Sequence, residues 1–203
     1  MLSRLAREER GVAAVEFAIV LPLLLTLFLG GFVIADMISC YRKVTVTARA
    51  LTDLASRNIS PSQGTTSSAV TTYLSSAQLV MAPFAAAAST VQIALLRVCD
   101  ASHAYVVWAQ AQTGASTVTA SLVAGSVVAI PANLATGPLV PTSPDGSDVC
   151  YNTTPATNKT VVGTAGGYLF LGQASYAYTP VASYGPVNTT QMADQIYMSP
   201  RLN

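Results

Sequence analysis

Charge is what this sequence has least of. Asp, Glu, Lys and Arg make up 9% of its 203 residues and the formal net charge is +1. Ordinary soluble proteins carry ~25% charged residues, and a near-neutral chain has no electrostatic footprint for nucleic acid. Histidine and cysteine are scarce too. One His and three Cys, with no C-x-x-C, cannot supply the spacing of a zinc site. No G-x-S-x-G accompanies His103, and the Gly pairs at 30 and 166 lack the following Lys of a phosphate loop. His103, in a predicted strand, therefore reads as structural. These absences leave no catalytic residue, no metal, no cofactor and no small-molecule substrate to assign. The length fits one membrane segment and one modest domain, with no room for a large multidomain enzyme.

The few charges are unevenly placed. All three Glu lie within the first sixteen residues, and beyond Arg57 only Arg97, Lys159, Arg201 and four Asp remain. Ser, Thr, Asn and Gln must wet the rest, a composition that suits an extracytoplasmic domain. From Val12 to Ala35 every residue other than Glu16 is apolar or small, save one Pro and one Thr, and crossing a bilayer takes ~20 such residues. A carboxylate near the centre of such a segment costs roughly 2.5 to 3.5 kcal/mol on insertion scales and implies a function and a partner. The polar leader carries Arg4, Arg7 and Arg10 against Glu8 and Glu9, which favours a cytoplasmic N-terminus. Arg42, Lys43 and Arg49 on the far side weigh the other way.

Helical periodicity does not stop at the end of the apolar run. Met37, Tyr41, Val44, Ala48, Leu51 and Ala55 recur at spacings of four and three, the mark of one apolar helix face. The spacing predicts one helix from Val12 to Arg57, with Pro22 as a possible kink. A second helix is predicted over Ser67 to Met81, with Val70, Leu74, Ala77 and Met81 on one face and Pro83 after it. From Thr90 the period changes. TVQIALLRVCD and HAYVVWAQAQ read as an antiparallel pair and GYLFLGQASYAYTP as a further strand. GPLVPTSPDGSDVCYNTTPATNKT reads as loop. The order predicts an α+β fold: a long N-terminal helix, a small helix and an antiparallel sheet of three or four strands. Met37, Tyr41, Val44, Leu51 and Leu54 are expected to be buried in part under that sheet, with Trp108 and Tyr178 as aromatic anchors.

Cys99 and Cys150 fall in the distal domain and form a candidate disulfide, with two buried thiols as the alternative. Closing a loop of about 50 residues would contribute roughly 4 kcal/mol in the chain-entropy model. Four N-x-[ST] matches, at Asn58, Asn152, Asn158 and Asn188, arise readily by chance in a Thr-rich chain.

A polar basic leader ending in Gly11, an apolar run opening VAAV, and Glu16 at the fifth position after that Gly resemble the class III signal of type IV prepilins. RGVAAVEFAIVLPLLL is similar to the TadE/TadF group of pilin-like proteins of tight adherence (Flp) systems. The closing YMSPRLN, with its Pro-Arg pair, and the segments AYVVWAQAQ and YAYTP resemble that group more loosely. The resemblance implies a pilin-like fold and cleavage between Gly11 and Val12 by a membrane prepilin peptidase. It further implies that Glu16 serves assembly by meeting the new amine of Val12, at i and i+4 on the helix. Major Flp pilins are little more than the helix, so the long extension here implies a minor pilin or pseudopilin.

The organisation expected is a cytoplasmic leader over 1–11, a transmembrane and extended helix over 12–57, and an extracytoplasmic α+β domain over 58–203. The chain would be single-pass in the bacterial inner membrane, with other pilin-like subunits and the assembly platform as partners. Two alternatives stay open. Val33-Ile34-Ala35 fits a conventional signal-peptidase site, although an apolar core of about 22 residues exceeds the usual ~7 to 15. An uncut, membrane-anchored module that uses its sheet to bind an extracellular ligand is the other.

Overall fold

The computed structural model describes residues 9–59, 68–99, 101–131, 134, 167–180 and 189–201. Helix α1 runs unbroken over Glu9–Asn58 with Pro22 inside it. Val12–Asn58 contains a stretch long and apolar enough to cross a membrane, and that stretch is 0% buried. Leu, Val, Ile and Phe side chains there, such as Ile19, Leu23 and Phe28, stand fully outward. Its last turn is closed locally: Asn58 Nδ2 donates to Leu54 O (2.8 Å) and the Ile59 amide to Ala55 O (2.9 Å).

The chain divides into two compact units, Met1–Ser39 with Thr179–Thr190, and Cys40–Tyr178 with Gln191–Asn203. The second holds the α+β core. In it the later part of α1 is followed by α2 (Ser68–Leu79), a 3-10 turn at Ala86–Ala88, and strands β1 (Ser89–Val98), β2 (His103–Thr113), β3 (Ser116–Val118), β4 (Val127–Ala129), β5 (Tyr168–Tyr178) and β6 (Thr190–Met198). They form one six-stranded sheet in the order β3-β2-β1-β5-β6, with β4 also on β2. β1 is central and antiparallel to both neighbours, pairing Leu95 with Trp108 on one side and with Phe170 on the other. The register slips between Leu95 and Leu96, leaving Val107 as the extra residue of a bulge in β2. Gly114, at a φ of 55° that L side chains resist, turns β2 into β3.

Alternation in the strands separates two apolar layers. Odd positions of β1 (Val91, Ile93, Leu95) join Trp108, Phe170 and Tyr178 in one cluster with Cys40, Val44, Ala48, Leu51, Ala55 and Ile59 of the α1 end and Val70, Leu74 and Ala77 of α2. Even positions (Ala94, Leu96, Val98) pack with Val106, Leu169, Leu171 and Ile130 on the opposite face. Leu122 and Val128 of the segment around β4 pack against that cluster, and the segment is tied to the β2 side of the sheet by Val106 N–H to Ser126 O (2.9 Å) and Ile130 N–H to Ser102 O (2.8 Å). Each fully buried Leu or Val contributes about 1.5 to 3 kcal/mol of transfer free energy.

The α+β architecture and the two helices are as expected, and the buried face of α2 is the predicted one. The buried stripe of α1 differs at its start. Met37 is 38% and Tyr41 50% exposed, whereas Cys40 is fully buried. Cys40 lies one residue from Tyr41, about 100° round the helix, and the small thiol fits under the sheet where a Tyr would not. Val44 and Leu51 are buried and Leu54 is half-buried, as expected. The sheet is also wider than predicted by β3, β4 and β6.

Close approach of helix and sheet depends on Gly172 in β5. A Cβ there would overlap Thr52 Oγ1 and lie 3.1 Å from Ala48 O. Thr52 cannot swing away freely, since its hydroxyl donates to Ala48 O at 2.6 Å. Gly172→Ala should therefore destabilise the folded domain by about 1 to 3 kcal/mol, the usual cost of overpacking. Gly31→Ala, at a position with nothing within 4 Å, should cost nothing. Denaturant titrations of both variants in lipid nanodiscs check the contrast.

Candidate functional site

Two places carry the residues singled out by sequence. The first is the start of α1. Gly11 and Val12 lie in its opening turn, and Glu16 follows one turn later. Val12 is 55% exposed and Glu16 is exposed. Positions i and i+4 share a helix face, so a carboxylate at 16 stands within reach of a group on residue 12.

The second is the seam where α1 meets the sheet. Trp108, 3% exposed, meets Phe170 edge to face with ring centroids 6.3 Å apart, and Tyr178 is buried in the same cluster. The Trp108 Nε1–H has no hydrogen-bond partner among the described residues, so this anchor acts by packing. The Pro-Arg pair noted in YMSPRLN also has a place. The Arg201 amide donates to Ser56 O at 2.8 Å, and its Nη2 lies 3.7 Å from Asp53 Oδ1, which also accepts from Arg57 Nε at 3.0 Å. Both arginines are more than half exposed, so the charge contribution is small. The backbone bond closes one of the four carbonyls that a helix end leaves open.

Cys99 is disulfide-bonded, and Cys40 is buried and outside any disulfide. Cys150, Asn152, Asn158 and Asn188 lie outside the described residues, as do 1–8 of the leader. His103 is exposed at the head of β2, with Nδ1 3.0 Å from Ser102 Oγ. Among the described residues there is no group of three or more His, Cys, Asp or Glu able to hold a metal ion.

A helix long and apolar enough to span a bilayer, continuing in sequence into the core of an α+β domain, is an arrangement consistent with a pilin-like fold. The comparison with protein families is specific to the helix. Residues 11–52 match the family model described as TadE-like protein, in agreement with the resemblance carried by Gly11, Val12 and Glu16. That family is structural and associated with tight adherence pili. The match covers α1 alone and none of the sheet. No curated protein and no solved structure matches the chain.

Sequence reasoning missed two features. Gly172 stands in β5 without any local signal that a helix lies against it. Tyr197 of β6 packs on the outer apolar face, and burial raises its phenol above the ordinary value of 10.0 because the phenolate is poorly solvated there. An unfolded Tyr ionises first as pH climbs past ~10, so the folded state then binds the extra proton and loses stability with rising pH. Below that pH the group contributes no slope. Tyr197→Phe should flatten the fall in stability above pH ~10 and leave neutral stability nearly unchanged, read from denaturant midpoints across that range.

Proposed function

We propose that this chain is a minor pilin or pseudopilin of a tight adherence pilus, made as a precursor and cut after Gly11 by a prepilin peptidase. The observation that carries the reading is the TadE-like match over residues 11–52, a segment that contains the Gly11-Val12 junction and Glu16 at the spacing described. In this reading residues 1–11 are a cytoplasmic leader, 12–57 the membrane and extended helix, and 58–203 an extracytoplasmic domain. Cleavage creates an amine on Val12 one turn from Glu16. In a bilayer the ammonium and carboxylate offset much of the desolvation cost that either would bear alone. A neighbouring subunit's amine can take the same role during assembly.

The domain works by packing and docking. Its partners are other pilin-like subunits and the inner-membrane assembly platform. Cys150 is the only cysteine of the chain besides Cys40 and Cys99, and it is the natural partner for Cys99. That pairing would tie the 138–159 segment to the end of β1 and suits an oxidising compartment.

Processing and assembly separate in two variants. Gly11→Val should leave the full-length form in the membrane, because a branched side chain does not fit where Gly is read; intact mass shows whether cleavage persists, and normal cleavage rejects the peptidase assignment. Glu16→Leu should ease membrane insertion yet impair pilus formation. A Glu16→Leu chain that is cut normally and supports normal piliation would remove the amine-pairing role.

A further inference from the structure

On the face of the sheet opposite α1, beside the apolar patch around Leu96, lies an open groove of about 520 Å3 lined by Thr90, Gln92, Ser121, Gln173, Ser175 and Gln195, among others. Ligand sites commonly measure ~300 to 1,000 Å3. Its rim holds one carboxylate, Asp194, and no Lys, Arg or His. Its apolar surface comes from the methyls of Ala111 and Ala193 and the aliphatic parts of the Thr and Gln side chains. Such a surface has no cation to neutralise a phosphate or carboxylate, and no pocket for a large apolar side chain.

What it does have is an ordered row of amides. The amide and hydroxyl of Ser121 both donate to Gln92 Oε1, at 2.6 and 3.0 Å. Gln92 Nε2 donates to Gln173 Oε1 (2.9 Å), and Gln173 Nε2 to Gln195 Oε1 (3.2 Å). Gln92 and Gln173 are direct partners in the β1–β5 register, and Gln92 is 5% exposed. The chain of bonds therefore runs one way across three strands, and each bond polarises the next. A primary amide carries two N–H donors and two acceptor lone pairs. Each ladder bond uses one donor, so every Gln keeps another N–H for a guest, and Gln195 keeps both. Ser and Thr hydroxyls between them donate or accept as required.

We propose that this groove binds a neutral oligosaccharide. A sugar hydroxyl is both donor and acceptor, which suits a row of fixed amides flanked by hydroxyls, and a neutral ring carries no charge that the groove would leave unpaired. The small Ala floor allows a flat ring to lie against it. A main-chain peptide offers the same polar groups at lower density and would seek strand pairing, which a sheet face does not provide. The site is independent of α1 and of pilus assembly.

The test uses the full-length chain in phospholipid nanodiscs, because sugar-headed detergents would compete. Maltotetraose and cellotetraose are titrated separately while the side-chain amide signals of Gln92, Gln173 and Gln195 are followed by 15N-resolved NMR. Saturable shifts of these signals by at least one sugar are expected. Gln173→Leu, which breaks the ladder, should weaken binding about tenfold or more, and Gln195→Ala, at an exposed position, by about two- to tenfold. If Gln173→Leu fails to fold, Gln195→Ala still decides. No saturable shift with either sugar overturns the proposal. So does an equal response to tetraserine or to inorganic phosphate, since the first would make the groove a peptide site and the second a nonselective polar surface. Binding undiminished by Gln195→Ala and Gln173→Leu would place the sugar elsewhere.

Discussion

The α+β core depends on how closely one helix lies against one strand. At Gly172 there is no room for even a methyl group, because Thr52 Oγ1 and the Ala48 carbonyl occupy the space. The helix surface facing the sheet is correspondingly fine-grained: Ala48, Thr52, Ala55 and Ser56 are all fully buried, spaced among Val44, Leu51 and Ile59. Small residues bring the backbones together, and the larger ones then reach Ile93, Leu95, Trp108 and Phe170. A bulkier residue at the contact point would push the sheet outward and open the packing on both sides of it, as protein interiors tolerate few voids.

That contact gives α1 a second use. The same continuous helix carries the bilayer-length apolar run and the inner wall of the domain core. Folding of the domain therefore needs residues from the later part of α1, and the domain cannot be separated from the helix without losing its core. The TadE-like match over residues 11–52 ends at Thr52, the residue in contact with Gly172. The matched segment thus includes Gly11, Val12 and Glu16 as well as most of the surface on which this particular sheet is built.

Much of this was legible in the residues. The apolar run, the helix beyond it, the face of α2 and the three long strands all have periods strong enough to read, and Gly11 with Glu16 pointed to the same family as the comparison. The failures have local causes. β3 and β4 are three residues each, too short to show a period. β6 carries Gln191, Asp194 and Gln195 because it is the edge of the sheet, and polar edge residues hide a strand signal. Tyr41 lies on the predicted stripe and is half exposed while the adjacent Cys40 is fully buried; hydrophobic spacing alone does not say which of two neighbouring residues faces the sheet. The groove was invisible for a different reason. Gln92 and Gln173 are 81 residues apart, and Gln173 and Gln195 are 22 apart, so only strand register brings the three amides into line.

A double-mutant cycle between positions 52 and 172 tests the central claim most directly. If the sheet rests on α1 through this contact, Thr52→Ala removes the oxygen that a Cβ at 172 would meet, and Gly172→Ala should cost measurably less in that background than in the wild type. A coupling of about 0.5 to 3 kcal/mol, the range for residues in contact, is the predicted result of denaturant titrations on the four proteins. Strict additivity of the two substitutions would contradict it, and would mean that helix and sheet do not meet at Gly172.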